Sequence, residues 1–144
     1  MPDPVPSDPA AACLREIDEL HRFFEAWFAG RLPATSESFA RVDVALSEDF
    51  EIVSPGGDLS ARGPLLERLR AAHGVDDALK IRVENGRVRT LEPGGLLLAV
   101  YEEWHDTEDG PRGRLSSALF RPWPETPNGL QWLHVHETWL PTED

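Results

Sequence analysis

Cysteine is nearly absent from this chain of 144 residues: the single Cys13 cannot close an internal disulfide. Basic residues are scarce as well. Fourteen Lys and Arg face 26 Asp and Glu, and the resulting net charge of −12 disfavours nucleic acid and anionic membranes as partners while promoting solubility. No apolar run approaches the roughly 18 to 20 residues that span a bilayer, and the longest, Leu96 to Val100, is strand-sized. The first residues carry neither the basic nor the apolar region of a signal peptide, so a cytoplasmic location is expected. Pro55-Gly56-Gly57-Asp58 lacks the lysine and spacing of a phosphate-binding loop. Ser54, Ser116 and Ser117 have no nucleophile-elbow context, and Cys13 falls on an apolar helix stripe, which argues against covalent catalysis. No internal repeat or low-complexity tract is present, and no cofactor is expected.

What is there suits one domain, whose usual size is about 100 to 150 residues. Prolines 2, 4 and 6 make residues 1–7 a loose, disordered tail, with a single domain over 8–141. Asp8 as N-cap, Pro9 in the first helical position and Gly30 as a left-handed stop frame a long helix. Its stripe is Cys13, Ile17, Leu20, Phe24, Trp27 and Phe28, with Arg15, Glu16, Asp18, Glu19 and Arg22 largely off it. Phe39, Val42, Ala45 and Leu46 predict a second helix, capped by Thr35 or Ser36 and ended by Asp49. Short extended pieces follow at Phe50 to Ser54 and around Asp58 to Ala61. Gly63-Pro64 opens a third helix with Leu65, Leu66 and Leu69 on its buried side, and Gly74 closes it.

From residue 79 the apolar period changes from about 3.6 to 2. Strands are predicted near Leu79 to Leu91, Leu96 to Asp106, Arg112 to Trp123 and Gly129 to Leu140, joined by turn-rich connections of hairpin length. Asn85-Gly86 reads as a bulge within the first of them, because the flanking pieces are too short for an independent hairpin.

Three helices followed by a long meander, closing on Leu130-Gln131-Trp132-Leu133-His134-Val135-His136-Glu137, resemble the nuclear transport factor 2-like superfamily. The closing His-x-His strand and Ser116-Ser117-Ala118-Leu119-Phe120-Arg121 before it are similar to the last strands of SnoaL-like proteins and of the calcium/calmodulin-dependent kinase association domain. The resemblance spans about residues 10 to 140. It implies an α+β fold in which the three helices pack on the concave face of a curved antiparallel sheet, a cone-like half barrel with an open mouth. It also implies pairing of two sheets back to back as a homodimer. Superfamily members include isomerases, dehydratases and hydrolases as well as assembly domains, so function has to come from the site.

Alternation divides the last strand into Leu133, Val135, Glu137 and Trp139 on one face and Trp132, His134, His136 and Thr138 on the other. The resemblance points Glu137, Arg87 and Glu102 inward. The expected pocket therefore holds Arg87, Arg89, Glu102, Trp104, Glu137 and Trp139, with Phe120, Trp27 and Phe28 as apolar wall. Glu137 or Glu102 in an apolar cavity suits a general base with Arg87 stabilising an oxyanion. The same carboxylates equally suit structural pairing with Arg87, Arg89 or Arg114 across neighbouring strands. Trp132, His134 and His136 form either a dimer interface or an alternative pocket. With His105 the two histidines have a spacing that permits a metal without specifying one. Five tryptophans suit a flat or apolar organic ligand as well as they suit a packed core. Three functions follow: a small-molecule-binding domain, a cofactor-free isomerase or dehydratase, and a non-enzymatic dimerisation or assembly domain.

Overall fold

The computed structural model describes residues 6–141, so most of the predicted N-terminal tail, residues 1–5, lies outside the described residues. The first helix, α1 (Pro9–Phe28), begins where Asp8 accepts the Ala11 amide at 3.1 Å and ends at Ala29. Gly30 follows with φ +75°, a conformation that suits glycine, and its amide bonds the Trp27 carbonyl. The predicted stripe is buried or half-buried. Two polar residues join it: His21 is buried, and Glu16, expected on the solvated side, is fully buried. Glu16 sits one turn from Leu20; Arg41 of the next helix pairs with its charge and Trp132 of the last strand donates a further hydrogen bond, which local periodicity does not register.

The second helix, α2 (Ser36–Asp43), starts on Thr35, whose side chain accepts the Ser38 amide at 3.2 Å. It stops six residues before the predicted Asp49. Ala45 and Leu46 leave the helix because the Ala45 carbonyl accepts the Trp132 amide and Leu46 opens a strand, β1 (Leu46–Val53), that pairs with the last strand. Strand β2 (Leu59–Ala61) and helix α3 (Arg62–Ala71) follow. The remaining strands are β3 (Lys80–Leu91), β4 (Leu96–Thr107), β5 (Gly110–Pro122) and β6 (Leu130–Trp139), within a few residues of their predicted positions.

Among the described residues six strands form one curved sheet in the order β2-β1-β6-β5-β4-β3. All pairings are antiparallel except β1 with β6, which run parallel, so the sheet is mixed rather than purely antiparallel. The register of β3 shifts between Glu84 and Arg87, and Asn85 has φ 55°, as the bulge reading of Asn85-Gly86 requires. Gly86 lies under α1: a Cβ there would sit 2.7 Å from the Leu14 side chain. α1 also shields the free edge of β3. Glu25 accepts the Ile81 amide at 2.8 Å and Arg22 donates to the Ile81 carbonyl, occupying backbone groups that an edge strand would otherwise expose. Among the described residues no helix is long and apolar enough to cross a membrane.

One end of the concave face is solid. Ala99, Ala118, Phe120, Leu130 and Trp132 are buried there in one cluster with Ala12, Cys13, Ile17 and Leu20 of α1. Burial and the nearby Glu16 charge push the Cys13 thiol up to about 12, so it remains an inert part of the core.

Candidate functional site

The other end of the concave face is hollow. A cavity of about 340 Å³ lies between the helices and the sheet. Leu20, His21, Phe24 and Phe28 reach it from α1, spaced so that successive turns present one face. Leu65 and Leu69 reach it from α3, and Leu46, Ile52, Ile81, Trp132 and Val135 from the sheet. This lining is mainly apolar. Into it project Tyr101, Glu103 and His105 of β4, Arg114 of β5 and Glu137 of β6. Glu103 lies opposite Arg114 in the β4–β5 pairing and Glu137 opposite Ser116 in the β5–β6 pairing, so adjacent strands deliver the ionisable groups to one neighbourhood.

Two linked ion pairs organise that neighbourhood. His21 Nδ1 faces the Ile17 carbonyl at 2.6 Å and Nε2 faces Glu103 Oε1 at 2.8 Å. A carbonyl only accepts, so Nδ1 carries a proton; a second proton on Nε2 makes the ring an imidazolium bonded to a carboxylate. Burial opposes the charge on His21, but the Glu103 charge and the hydrogen bonds to Glu103 and Ile17 outweigh it and raise its pKa above the ordinary 6.5. Burial also opposes the charge on Glu103. His21, hydrogen bonds from His105 and His21, and Arg114 nevertheless hold Glu103 well below the usual carboxylate range. In the second pair, Arg114 donates to Glu137 Oε1 at 3.1 Å and Ser116 to Oε2 at 3.4 Å. Here burial and the Glu103 charge prevail over Arg114 and raise the Glu137 pKa. Burial, with both carboxylates nearby, pushes the Tyr101 phenol well above its ordinary value.

Of the residues expected in the pocket, the structure brings Glu137 and Phe28 to the cavity. Trp27 and Phe120 are core instead: Trp27 donates to the Leu69 carbonyl at 2.7 Å, and the Phe120 ring lies 4.4 Å from that of Trp132. Trp139 follows Glu137 on the same strand face but is 39% exposed beyond the cavity, beneath Arg112 and Arg114. Arg87, Arg89, Glu102 and Trp104 are on the opposite face. Arg87 pairs across the ladder with Val100 and Arg89 with Leu98, both exposed arginines, while the Trp104 indole donates to Glu102 Oε1 at 3.0 Å. The inward residue of β4 is Glu103 rather than Glu102. The run Leu96 to Val100 is apolar at every position, so it carries no alternation from which the inward parity of β4 can be read.

Trp132 corrects the division of β6. Phe120 pairs with Trp132 but Leu119 with His134, so Leu133 is an extra residue. This bulge returns Trp132 to the face of Val135 and Glu137, where it is buried, and leaves His134 and His136 on the convex face. His105 is on the concave face, so the three histidines are not directed to one metal, and among the described residues no group of three potential ligands is arranged to hold a metal ion. Sequence reasoning misses His21 and Glu103 and gives His105 only a metal reading. His21 is detectable as the i+4 neighbour of Ile17 on the α1 stripe.

Three helices packed on a curved sheet place the domain in the nuclear transport factor 2-like, cystatin-like class of α+β folds. An NTF2-like protein of unknown function from Pseudomonas aeruginosa superposes with a TM-score of 0.76 at 26% identity, covering 90% of this chain and 99% of that one. The CaMKII hub of S. rosetta superposes with a TM-score of 0.70 at 16% identity, over 94% of this chain and all of the hub (100%). Within this class, residues 14–141 match the model of the sucrose-6-phosphate phosphohydrolase C-terminal family, and the chain belongs to that family. Sucrose-phosphatase 2 of Nicotiana tabacum is 22% identical over 127 residues, which are 87% of this chain but 30% of the tobacco protein. The chain thus spans about three-tenths of the length of that relative.

Proposed function

We propose that this domain binds a compact, neutral organic molecule in its cone. The observation that carries this reading is the cavity of about 340 Å³, mainly apolar in its lining but furnished on one side with Glu103, His105, Arg114 and Glu137. An apolar body fits against Phe24, Phe28 and Val135, and a carbonyl or hydroxyl meets the polar side. The two cations on the polar side of the cavity are already committed to carboxylates, buried His21 to Glu103 and half-buried Arg114 to Glu137, which disfavours a phosphate dianion deep in the cavity; Arg68, the other cation in the lining, is exposed and donates to Ser60 Oγ. Although the tobacco relative is named a sucrose-phosphatase, phosphate chemistry is therefore not assigned to this pocket.

A thermal-shift screen at constant pH with small neutral ketones and alcohols, sucrose and sucrose 6-phosphate tests the reading. A selective rise in Tm with a neutral compound supports it, because a ligand of the native state stabilises that state by mass action. A rise confined to the phosphate ester would refute it. For Glu137→Gln, stability at pH 7 should change by less than about 1 kcal/mol, because the amide still accepts from Arg114 and the raised pKa marks a charge that folding disfavours. Ligand-induced stabilisation should fall, and an unchanged shift would remove Glu137 from the site.

A homodimer through the sheet is the second component of the proposal. The convex face carries Leu98, Leu119 and His134 in one cross-strand row, Val100, Ser117 and His136 in the next, and Leu115, 37% exposed, beyond them. Leucines and a valine there alternate with Ser117 and two histidines, and Arg87 and Arg89 border them on β3, a mixture of apolar contact and polar groups such as interfaces carry. Leu115→Glu should shift the species seen by sedimentation velocity from dimer to monomer. A wild-type chain that sediments as a monomer at micromolar concentration would rule the dimer out.

A further inference from the structure

We propose that the cavity catalyses proton transfer from carbon, with His105 Nδ1 as the base, Glu103 as the residue that positions it and Arg114 as the cation nearest the developing oxyanion. The inference rests on the pocket reading and adds a reaction to it.

Each of the two oxygens of Glu103 faces an imidazole. On the His21 side the ring is spent: its second nitrogen meets the Ile17 carbonyl and only 5% of the side chain is exposed, so no ligand reaches a free lone pair. His105 is different. Its side chain is 24% exposed, it lines the cavity, and its Nε2 is held by Glu103. Among the described residues Nδ1 takes no hydrogen bond. Glu103 is ionised in its pair with His21, so Nε2 must carry the proton of the His105–Glu103 bond. When His105 is neutral, its lone pair therefore lies on Nδ1. A carboxylate that fixes the tautomer of an imidazole in this way directs the opposite nitrogen to act as a base and stabilises the imidazolium that forms.

The remaining groups fit the charge that develops. Abstraction of a proton beside a carbonyl forms an Nδ1–H bond, turns the C–H electron pair into a C=C bond and places negative charge on the carbonyl oxygen. Arg114, opposite Glu103 on the neighbouring strand and also in the lining, bonds Glu137 through one terminal nitrogen, but its buried Nε has no hydrogen-bond partner among the described residues, so the guanidinium keeps an unused donor beside the developing charge. Return of the same proton to another carbon restores neutral His105, so the net reaction is an isomerisation needing no oxidant, reductant or metal. The substrate class is a small carbonyl compound with an acidic C–H.

The test uses the full chain and a generic carbon acid, 5-nitrobenzisoxazole. A base that removes its C3 proton breaks the N–O bond and releases a coloured nitrile phenolate. The wild type should turn it over faster than buffer, and His105→Gln, whose amide can still donate to Glu103, should lower the rate by about 100-fold or more while remaining folded. Long-range proton–nitrogen spectra should show neutral His105 protonated at Nε2 and His21 protonated at both nitrogens. In Glu103→Gln the His105 proton should distribute over both nitrogens as the rate falls, an effect that mere loss of packing does not produce. If that variant fails to fold, His105→Gln and the wild-type spectra decide. A rate in His105→Gln within about twofold of wild type, or a wild-type His105 proton on Nδ1, overturns the inference. Absence of wild-type turnover does so too, and a Tm rise with the probe in that case leaves the binding reading standing.

Discussion

Replacing His21 with leucine should destabilise the domain by about 3 to 5 kcal/mol at pH 7, the usual cost of removing one partner from a buried ion pair. Leucine fills much of the imidazole volume, so the loss comes from Glu103, which is left ionised and buried without the cation at Oε1. The pH dependence should change as well. His21 has a folded pKa raised above 6.5, so its stabilising contribution is complete below that value and is lost as pH rises through the folded one. Glu103 has a depressed pKa; its contribution is present above about 4.5 and is lost as pH falls toward its folded value. Glu137, whose pKa is raised, loses stability as pH climbs above 4.5. These three groups place the wild-type maximum on the acidic side of neutrality. Urea titrations across pH should show that maximum, and in His21→Leu the decline above pH 6.5 due to His21 should be missing. A variant with wild-type stability and an unchanged slope would mean that the pair is not ionised in the native state.

Glu16→Ala should have a comparable effect, about 3 kcal/mol or more, equivalent to a fall in Tm of about 10 °C. Its carboxylate is fully buried and has four donors: both terminal nitrogens of Arg41 at 2.8 and 3.1 Å, the Trp132 indole at 2.9 Å and Asn128 at 3.1 Å. Alanine leaves the Trp132 donor buried and unpaired and frees the Arg41 guanidinium that holds α2 against α1. Because Trp132 also lines the cavity, ligand affinity should fall together with the near-ultraviolet signal of its ring. Glu16→Gln should recover part of the loss, since its amide oxygen still accepts from one donor. Chemical denaturation of both variants checks the order, and an alanine variant within about 1 kcal/mol of wild type would show that Glu16 is not the bridge between helix and sheet.

The helices and strands of this chain are legible in its sequence because their determinants are local. Asp8, Pro9 and Gly30 frame α1 by the chemistry of helix ends, and Asn85-Gly86 marks its bulge by backbone preference. The apolar period separates helices from strands, and the order of elements with the closing His-x-His strand resembles the correct superfamily. Charge alone argues against nucleic acid as a partner.

Long-range pairing decided the rest. Ala45 and Leu46 have helical spacing, yet they join β6 because their backbone groups find partners there. Nothing in the uniform run Leu96 to Val100 distinguishes its faces, and only α1 packing on one side makes Glu103 internal and Glu102 external. One extra residue at Leu133 turns Trp132 from a companion of the convex-face histidines into part of the core. Glu16 looks like a surface residue of an amphipathic helix until Arg41, Asn128 and Trp132 supply its partners, and His21, on the apolar stripe, finds Glu103 only 82 positions away. The sequence by itself determined where helices and strands form, because that depends on neighbours within a few residues. Only the tertiary structure decided which side of each strand faces the cavity, because a shift of one residue reverses every side chain beyond it.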